Sequence, residues 1–285
     1  MLALSLIACG RLKRARARAL SGNVVTAIYF HNPNKRLFVR CVSWLIQHGY
    51  IFISANELLE FLRRGERPSR GAVWLSFDDG FKDFRYDLLP VIRQHKIPVT
   101  LFIPSGIIAG DGLFPWLRAG SGDYDTRHAL TVADLKAVAC HPEVTIGAHT
   151  VSHAVTPDLN PEMACVEFEV SKRVLESWTG TEVKCFAYPE GLFDGSERAF
   201  LTKFDYHLAA TTQNALITDK TDPYLVPRFS VADNIWFPEA MCNMVGIWRP
   251  AIDPVIRFMR RLRPKFKPPR RALEIQIIPK NRQSA

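Results

Sequence analysis

The chain contains no CxxC pair. Its six cysteines (Cys9, Cys41, Cys140, Cys165, Cys185, Cys242) are scattered, which suggests neither a zinc ribbon nor a disulfide scaffold. Reduced, mostly buried thiols in a reducing compartment are the simplest reading. No apolar run reaches the ~18 residues that a bilayer-spanning helix needs, and no short repeat or low-complexity block is present. A basic stretch ahead of the first apolar run is also missing. Arg11, Lys13, Arg14, Arg16 and Arg18 follow MLALSLIACG, the reverse of the secretory-signal order. Leu6-Ile7-Ala8-Cys9 loosely resembles a lipoprotein cleavage site, but without a basic lead the expectation over 1–23 is a basic arm or helix. The expected location is cytoplasmic, with peripheral association at the inner membrane as the alternative.

What is present is a globular composition. Of 285 residues, 47% are hydrophobic and 23% charged, enough to bury a full core. The net charge of +9 is uneven. Residues 1–22 carry five bases and no acid, and residues 249–285 carry eleven Lys/Arg against two Asp/Glu, leaving the body between them near −5. The basicity therefore belongs to the two ends, and a nucleic-acid-binding face on the body is not expected.

Along that body, strand-like and helix-like segments alternate. Strands are expected over 24–31, 50–54, 72–77, 98–104, 143–149, 182–189, 206–212 and 224–231. Helices are expected over 37–50, 56–65, 82–95, 131–139, 161–178 and 195–204. Alternation of this kind implies an α/β class with a mostly parallel sheet. Seven or eight units in this length suit a barrel better than an open sheet. In a barrel, chemistry gathers at the C-terminal ends of the strands. His31, Asp78, Asp79, Pro104, His149, the Tyr188–Gly191 stretch and Arg228 all fall at such ends.

Two of these ends point to a metal. In 73-VWLSFDDGF-81, adjacent Asp78 and Asp79 would raise each other's pKa unless a cation lies nearby. In 147-GAHTVSH-153, His149 and His153 are four apart, a spacing that can direct two imidazoles to one point. Two histidines and one carboxylate leave an open position for water, as a catalytic zinc requires.

With SFDDG at 76–80 and HTVSH at 149–153, the chain resembles the polysaccharide deacetylases, the NodB-homology group of carbohydrate esterase family four. The stretches 29-YFH-31, 88-LLPVIRQHKIPVTLFIPS-105, 169-EVSKRVLESWTG-180, 186-FAYPEG-191 and 227-PRF-229 agree, so the resemblance covers roughly 24–232. It implies a distorted (β/α) barrel of about seven parallel strands, flanked by the N-terminal segment 1–23 and a basic C-terminal extension, 233–285. It implies a divalent metal, Zn²⁺ first with Co²⁺, Mn²⁺ or Ni²⁺ as alternatives, held by Asp79, His149 and His153. Asp78 would be the general base on the activated water, and the backbone N–H of Glu190 an oxyanion donor. The implied activity is removal of N-acetyl groups from an N-acetylated sugar in a polysaccharide, oligosaccharide or glycolipid, with Tyr188 and Pro189 near the substrate.

The match departs from the family in two places. Ala187 stands where the third motif usually has an arginine paired with the base, and Glu190 replaces its aromatic; Arg228 is the candidate replacement for the arginine. The family's Leu-x-His segment, source of the general acid, has no counterpart after residue 191. In a barrel the first and last strands are neighbours, so His31 at the end of 27-AIYFHN-32 can supply that acid from the other end of the chain, as some deacetylases of exopolysaccharide do. These departures leave two other readings: a catalytically impaired carbohydrate-binding barrel, or a zinc amidase or esterase on a non-sugar substrate. Trp116 in 114-FPWLRAG-120 could stack on a sugar ring. The segment 257-RFMRRLRPKFKPPRR-271 could contact an anionic membrane; no nucleic-acid partner is expected.

Overall fold

A computed structural model describes residues 1–65, 68–114 and 128–254. Trp116 and the basic segment 257–271 lie outside the described residues.

Among the described residues, eight strands form one parallel sheet: β1 (Thr26–Phe30), β2 (Ile51–Phe52), β3 (Ala72–Phe77), β4 (Val99–Ile103), β5 (Val144–Ala148), β6 (Cys185–Ala187), β7 (Leu208–Ala210) and β8 (Phe229–Ser230). Seven follow one path in the order β7-β6-β5-β4-β3-β1-β8, and β2 pairs only with the start of β3. The strip curls into a barrel-like sheet. The residues before β8 reach back to β7: Val226 N–H donates to Ala209 O at 2.9 Å, and Thr211 N–H donates to Val226 O at 2.8 Å. Among the described residues, ten α-helices surround it: α1 (Leu2–Ala8), α2 (Arg11–Ala19), α3 (Lys35–Gln47), α4 (Ala55–Arg64), α5 (Leu89–Gln94), α6 (Ser105–Ala109), α7 (Val132–Ala139), α8 (Pro161–Thr179), α9 (Glu197–Lys203) and α10 (Phe237–Met244).

Strand parity sets what faces where. Ile28, Phe30, Leu75, Phe77, Leu101 and Ile103 pack outward in the core shared with the helices. Ala27, Trp74, Phe102, Cys185, Ala187 and Ala210 fill the interior. Period-two alternation, carried one step past the strand ends, sends His31, Asp78 and His149 to the interior side. Register levels them: Phe30 pairs with Phe77 and Ile103 with Ala148, so the residues that follow emerge at one rim.

Helix ends follow local chemistry. Ser54 and Glu57 form a capping box that starts α4, and Gly65 ends it in the left-handed region, a conformation that costs glycine little. Thr131 and Asp134 form a second box at α7. Two prolines reshape elements expected to be regular. Over 82–95, the helix opens as a π turn at Phe84–Leu88 before α5. Pro90 has no N–H for the preceding turn and crowds its carbonyl. Over 224–231, Pro227 cannot donate to a ladder, so the segment bridges β7 at Val226 and pairs with β1 only from Phe229. Strands also form at only the middle of 182–189 and 206–212. The short α6 and α10 were not expected. α10 buries Ala240, Cys242 and Met244, and Ala3 and Leu6 of α1 pack on Cys242.

Candidate active site

A cleft of about 920 Å³ opens at the C-terminal rim and is lined by His31, Asp78, Asp79, His149, His153, Tyr188, Glu190 and Arg228 among others. Nearly every residue singled out from the sequence thus converges there from β1, β3, β5, β6 and the start of β8.

Arg228 is the side chain that organises it. It precedes β8 rather than ending a strand, yet its length brings the guanidinium through the interior. There it is 1% exposed. It donates from both terminal nitrogens to Asp78, Nη1 to Oδ1 at 2.7 Å and Nη2 to Oδ2 at 2.8 Å. Nη1 also donates to Ser76 Oγ at 2.9 Å, and Nε donates to Thr211 O at 3.1 Å. The charge lies 4.3 Å from the Tyr29 ring centroid, a favourable cation–π contact. Burial alone would push the Asp78 carboxyl up; the Arg228 charge and hydrogen bonds turn the net shift below the usual range. Asp78 is therefore an ionised carboxylate at neutral pH.

Asp79 differs. Burial, followed by repulsion from Asp78 and Asp233 against the attraction of His31 and Arg228, raises it to about 7. Its Oδ1 is buried and has no hydrogen-bond partner. His149 Nε2 lies 3.6 Å from that oxygen and His153 Nε2 lies 3.4 Å from it. These are not ion pairs, because burial holds both imidazoles neutral, lowering His149 to about 4 and His153 to about 2. The Ala187 carbonyl sits 2.7 Å from His149 Nδ1. A carbonyl only accepts, so Nδ1 carries the proton and Nε2 presents a lone pair toward Asp79. One donor atom from each of Asp79, His149 and His153 lies within 4.8 Å of the others. A desolvated carboxylate oxygen without a donor, facing neutral imidazoles, fits a divalent cation.

Backbone strain gathers at the same rim. Asp79 (φ 71°), Thr150 (φ 62°), His153 (φ 59°) and Glu190 (φ 56°) are non-glycine residues in the left-handed region, which costs each of order 1–3 kcal/mol. Such residues cluster where geometry serves function. At Gly191, also left-handed at φ +69°, an added Cβ would meet Thr212 Oγ1 at 2.1 Å. Gly80 turns the chain away from Asp79, and a Cβ there would meet Ile103 at 2.6 Å.

Tyr188 lines the cleft but is 2% exposed, and its hydroxyl donates to Tyr224 O at 3.0 Å. Pro189 is buried and lies outside the lining. Sequence reasoning missed several contributors. Ser76 and Thr211 hold Arg228. Ala187, read as a lost arginine, orients His149 through its carbonyl. Glu239, Asn243, Trp248 and Arg249 form a wall of the cleft beyond the stretch of resemblance.

Fold and site define the class: a curled α/β barrel with an Asp-His-His donor set beside an arginine-paired aspartate at its C-terminal rim. The polysaccharide deacetylase family model matches residues 65–209, and the chain belongs to that family. The protein YxkH of Bacillus subtilis, which carries the polysaccharide deacetylase name, is 24% identical over 198 residues, covering 70% of this chain and 65% of its own. The chain thus spans just under two thirds of that relative. Poly-beta-1,6-N-acetyl-D-glucosamine N-deacetylase of Staphylococcus aureus is 23% identical over 231 residues, 73% of each chain. Among solved structures, IcaB from Ammonifex degensii aligns with a TM-score of 0.66 at 19% identity, over 80% of this chain and 98% of its own. The Streptococcus pyogenes deacetylase PplD aligns at 0.65 and 21% identity, over 78% of this chain and 98% of its own. These structural likenesses establish the distorted barrel.

Proposed function

We propose that this chain hydrolyses the N-acetyl group of an N-acetylated hexosamine in a saccharide, releasing acetate and a free amine. β-1,6-linked poly-N-acetylglucosamine is the first substrate to try, given the name of the staphylococcal relative. The observation that carries the reading is the buried Asp78–Arg228 pair beside the Asp79, His149 and His153 donors in one cleft.

Asp79, His149 and His153 would hold the metal. A divalent cation there supplies Lewis acidity, activating water and polarising the acyl oxygen. Asp78 accepts the proton of the attacking water; a carboxylate kept ionised and in place can do so at neutral pH. Arg228 takes the role of the arginine missing at Ala187, fixing both Asp78 oxygens and its charge. The backbone N–H of Glu190 serves the developing negative charge on the acyl oxygen, so its side chain is free to differ from the family pattern. His31 lines the same cleft on the opposite strand neighbour of Asp78 and delivers a proton to the leaving amine. The donor set and base are intact, which supports an enzyme over a binding barrel. Peripheral contact of the basic C-terminal segment with a membrane is part of the same reading, since lipid-linked or nascent polysaccharide is found there.

Acetate release from N-acetylated oligosaccharides tests the assignment. His31→Ala is expected to lower kcat by about 10²–10⁴-fold, the range for a lost general acid, with substrate binding retained. Unchanged kcat removes His31 from the mechanism.

A further inference from the structure

The loop from His149 to His153 carries two of the three proposed metal donors, yet HTVSH alone does not explain how it keeps its shape. Thr150 and His153 both sit at positive φ, a conformation that persists only when the surroundings over-determine it. Thr150 Oγ1 donates to His149 O at 2.6 Å within the motif; the other determinants come from outside it. Glu167, on α8, is fully buried. Its Oε2 accepts from Val151 N–H at 2.6 Å and Ser152 N–H at 3.0 Å, and its Oε1 accepts from Ser152 Oγ at 2.7 Å. One turn further along α8, Ser171 Oγ donates to Thr150 O at 3.1 Å. From the other side, Ser105 N–H donates to Thr150 O at 3.2 Å and Gly106 N–H to Val151 O at 2.7 Å. The Gly106 contact is too close for a side chain, since a Cβ would lie 2.8 Å from Val151 O.

A fully buried carboxylate is costly to keep. Here two backbone N–H groups and a hydroxyl compensate it, all within three residues of a metal donor. Its position on α8 makes the placement deliberate. Ala164, Phe168, Ser171 and Leu175 form the buried stripe of that helix, with Glu167 inside it. An apolar side chain there would complete the stripe but leave Val151 and Ser152 N–H without these acceptors.

We propose that Glu167 is a positioning residue for the metal centre: from α8 it clamps the backbone between His149 and His153 and so sets the geometry in which their imidazoles meet Asp79. This rests on the metal reading of those three residues. The clamp works by reach, not by charge. Glutamine at 167 can keep every contact, with its carbonyl oxygen taking the two N–H groups and its amide donating to Ser152 Oγ. Aspartate keeps the charge but is one methylene too short to hold the loop where it is.

The test compares Glu167→Gln and Glu167→Asp in the full chain. The readouts are metal affinity by chelator competition and the visible spectrum of the Co²⁺-substituted protein, with far-UV circular dichroism of the metal-free form as the folding control. Glu167→Asp is expected to weaken Co²⁺ and Zn²⁺ binding by about 10–100-fold, the usual cost of losing a group that orients metal ligands, and to shift the Co²⁺ bands. Glu167→Gln is expected to keep the affinity and spectrum near wild type. A folded Glu167→Asp protein with wild-type affinity and spectrum overturns the proposal, as does a Gln variant as impaired as the Asp one. Should Glu167→Asp fail to fold, Ser152→Ala removes one clamp contact: weaker binding with a moved spectrum supports the clamp, and no change in either overturns it. Wild-type protein that binds no Co²⁺ overturns the metal reading itself, an outcome the variants do not mimic.

Discussion

Asp78 and Asp79 share a peptide bond and a cleft, and both are buried, yet they are driven in opposite directions. The difference is one guanidinium. Arg228 holds Asp78 by two hydrogen bonds, while Asp79 Oδ1 is buried without a hydrogen-bond partner and keeps lone pairs that a cation can accept. Removing Arg228 strands a buried carboxylate, so Arg228→Ala should cost about 3–5 kcal/mol of stability, read by denaturant unfolding, and lower kcat with it. Arg228→Lys should recover little of the activity, because an ammonium cannot offer the two parallel N–H groups. A lysine variant at wild-type kcat would show that bidentate geometry is not needed. In the sequence, the two histidines stood out by their spacing in HTVSH, and the resemblance singled out Asp79 in FDDG; the structure brings the three side chains together. The pairing of Arg228 with Asp78 spans 150 positions and could only be suggested from an arginine missing at Ala187. The Ala187 carbonyl that orients His149 has no side-chain signature at all. Glu167 did leave a trace, an acid inside the apolar stripe of 161–178, but its target is visible only in three dimensions.

Elements were legible where local chemistry decides and blurred where tertiary pairing does. The strand at 72–77 and the capped helices α4 and α7 form where propensity and caps place them. The π turn before α5 and the split of 224–231 trace to Pro90 and Pro227, whose missing N–H groups were in view in the sequence but whose structural outcome was not. α6 and α10 were missed because both are short and neither opens on a capping side chain, the signal that marks the equally short α7. At α7 the cap gives a testable consequence. Burial pushes Asp134 up, but bonds from Thr131, Tyr86 and Arg85 outweigh it and hold the carboxyl below its usual range. A carboxylate lowered on folding stabilises fully above its unfolded pKa near 4, and that contribution is lost as pH falls through the lower folded value. Asp134→Asn should therefore destabilise the protein by about 1 kcal/mol at pH 7, the worth of a helix cap. The gap in melting temperature should narrow as pH is taken down from 5 toward 3. A gap that widens on acidification contradicts this account of the α7 cap.

For the whole molecule, resemblance ends near residue 232, but packing continues past it. α10 buries Ala240 and Met244 in the main core and Cys242 against α1, and the residues after it wall the cleft. A chain cut to residues 24–232 should lose upwards of about 5 kcal/mol, at roughly 1.5–3 kcal/mol for each fully buried large apolar side chain. Denaturant unfolding reads it, and a truncated barrel as stable as the full chain would show that α1 and α10 are dispensable. Among the described residues, no helix is long and apolar enough to cross a membrane. The proposed reaction needs the cleft as a unit: Asp79, His149 and His153 would hold a divalent metal, and Asp78 would take the proton of the water that attacks the N-acetyl carbonyl of a saccharide. The most direct measurement is acetate release from poly-N-acetylglucosamine oligomers by chelator-stripped protein titrated with Zn²⁺. Activity should be absent in the stripped protein, rise linearly to a plateau at one metal per chain, and fail to appear in Asp79→Ala at any loading. Full acetate release by the stripped protein, or none from any N-acetylated oligomer by the loaded one, would contradict the account.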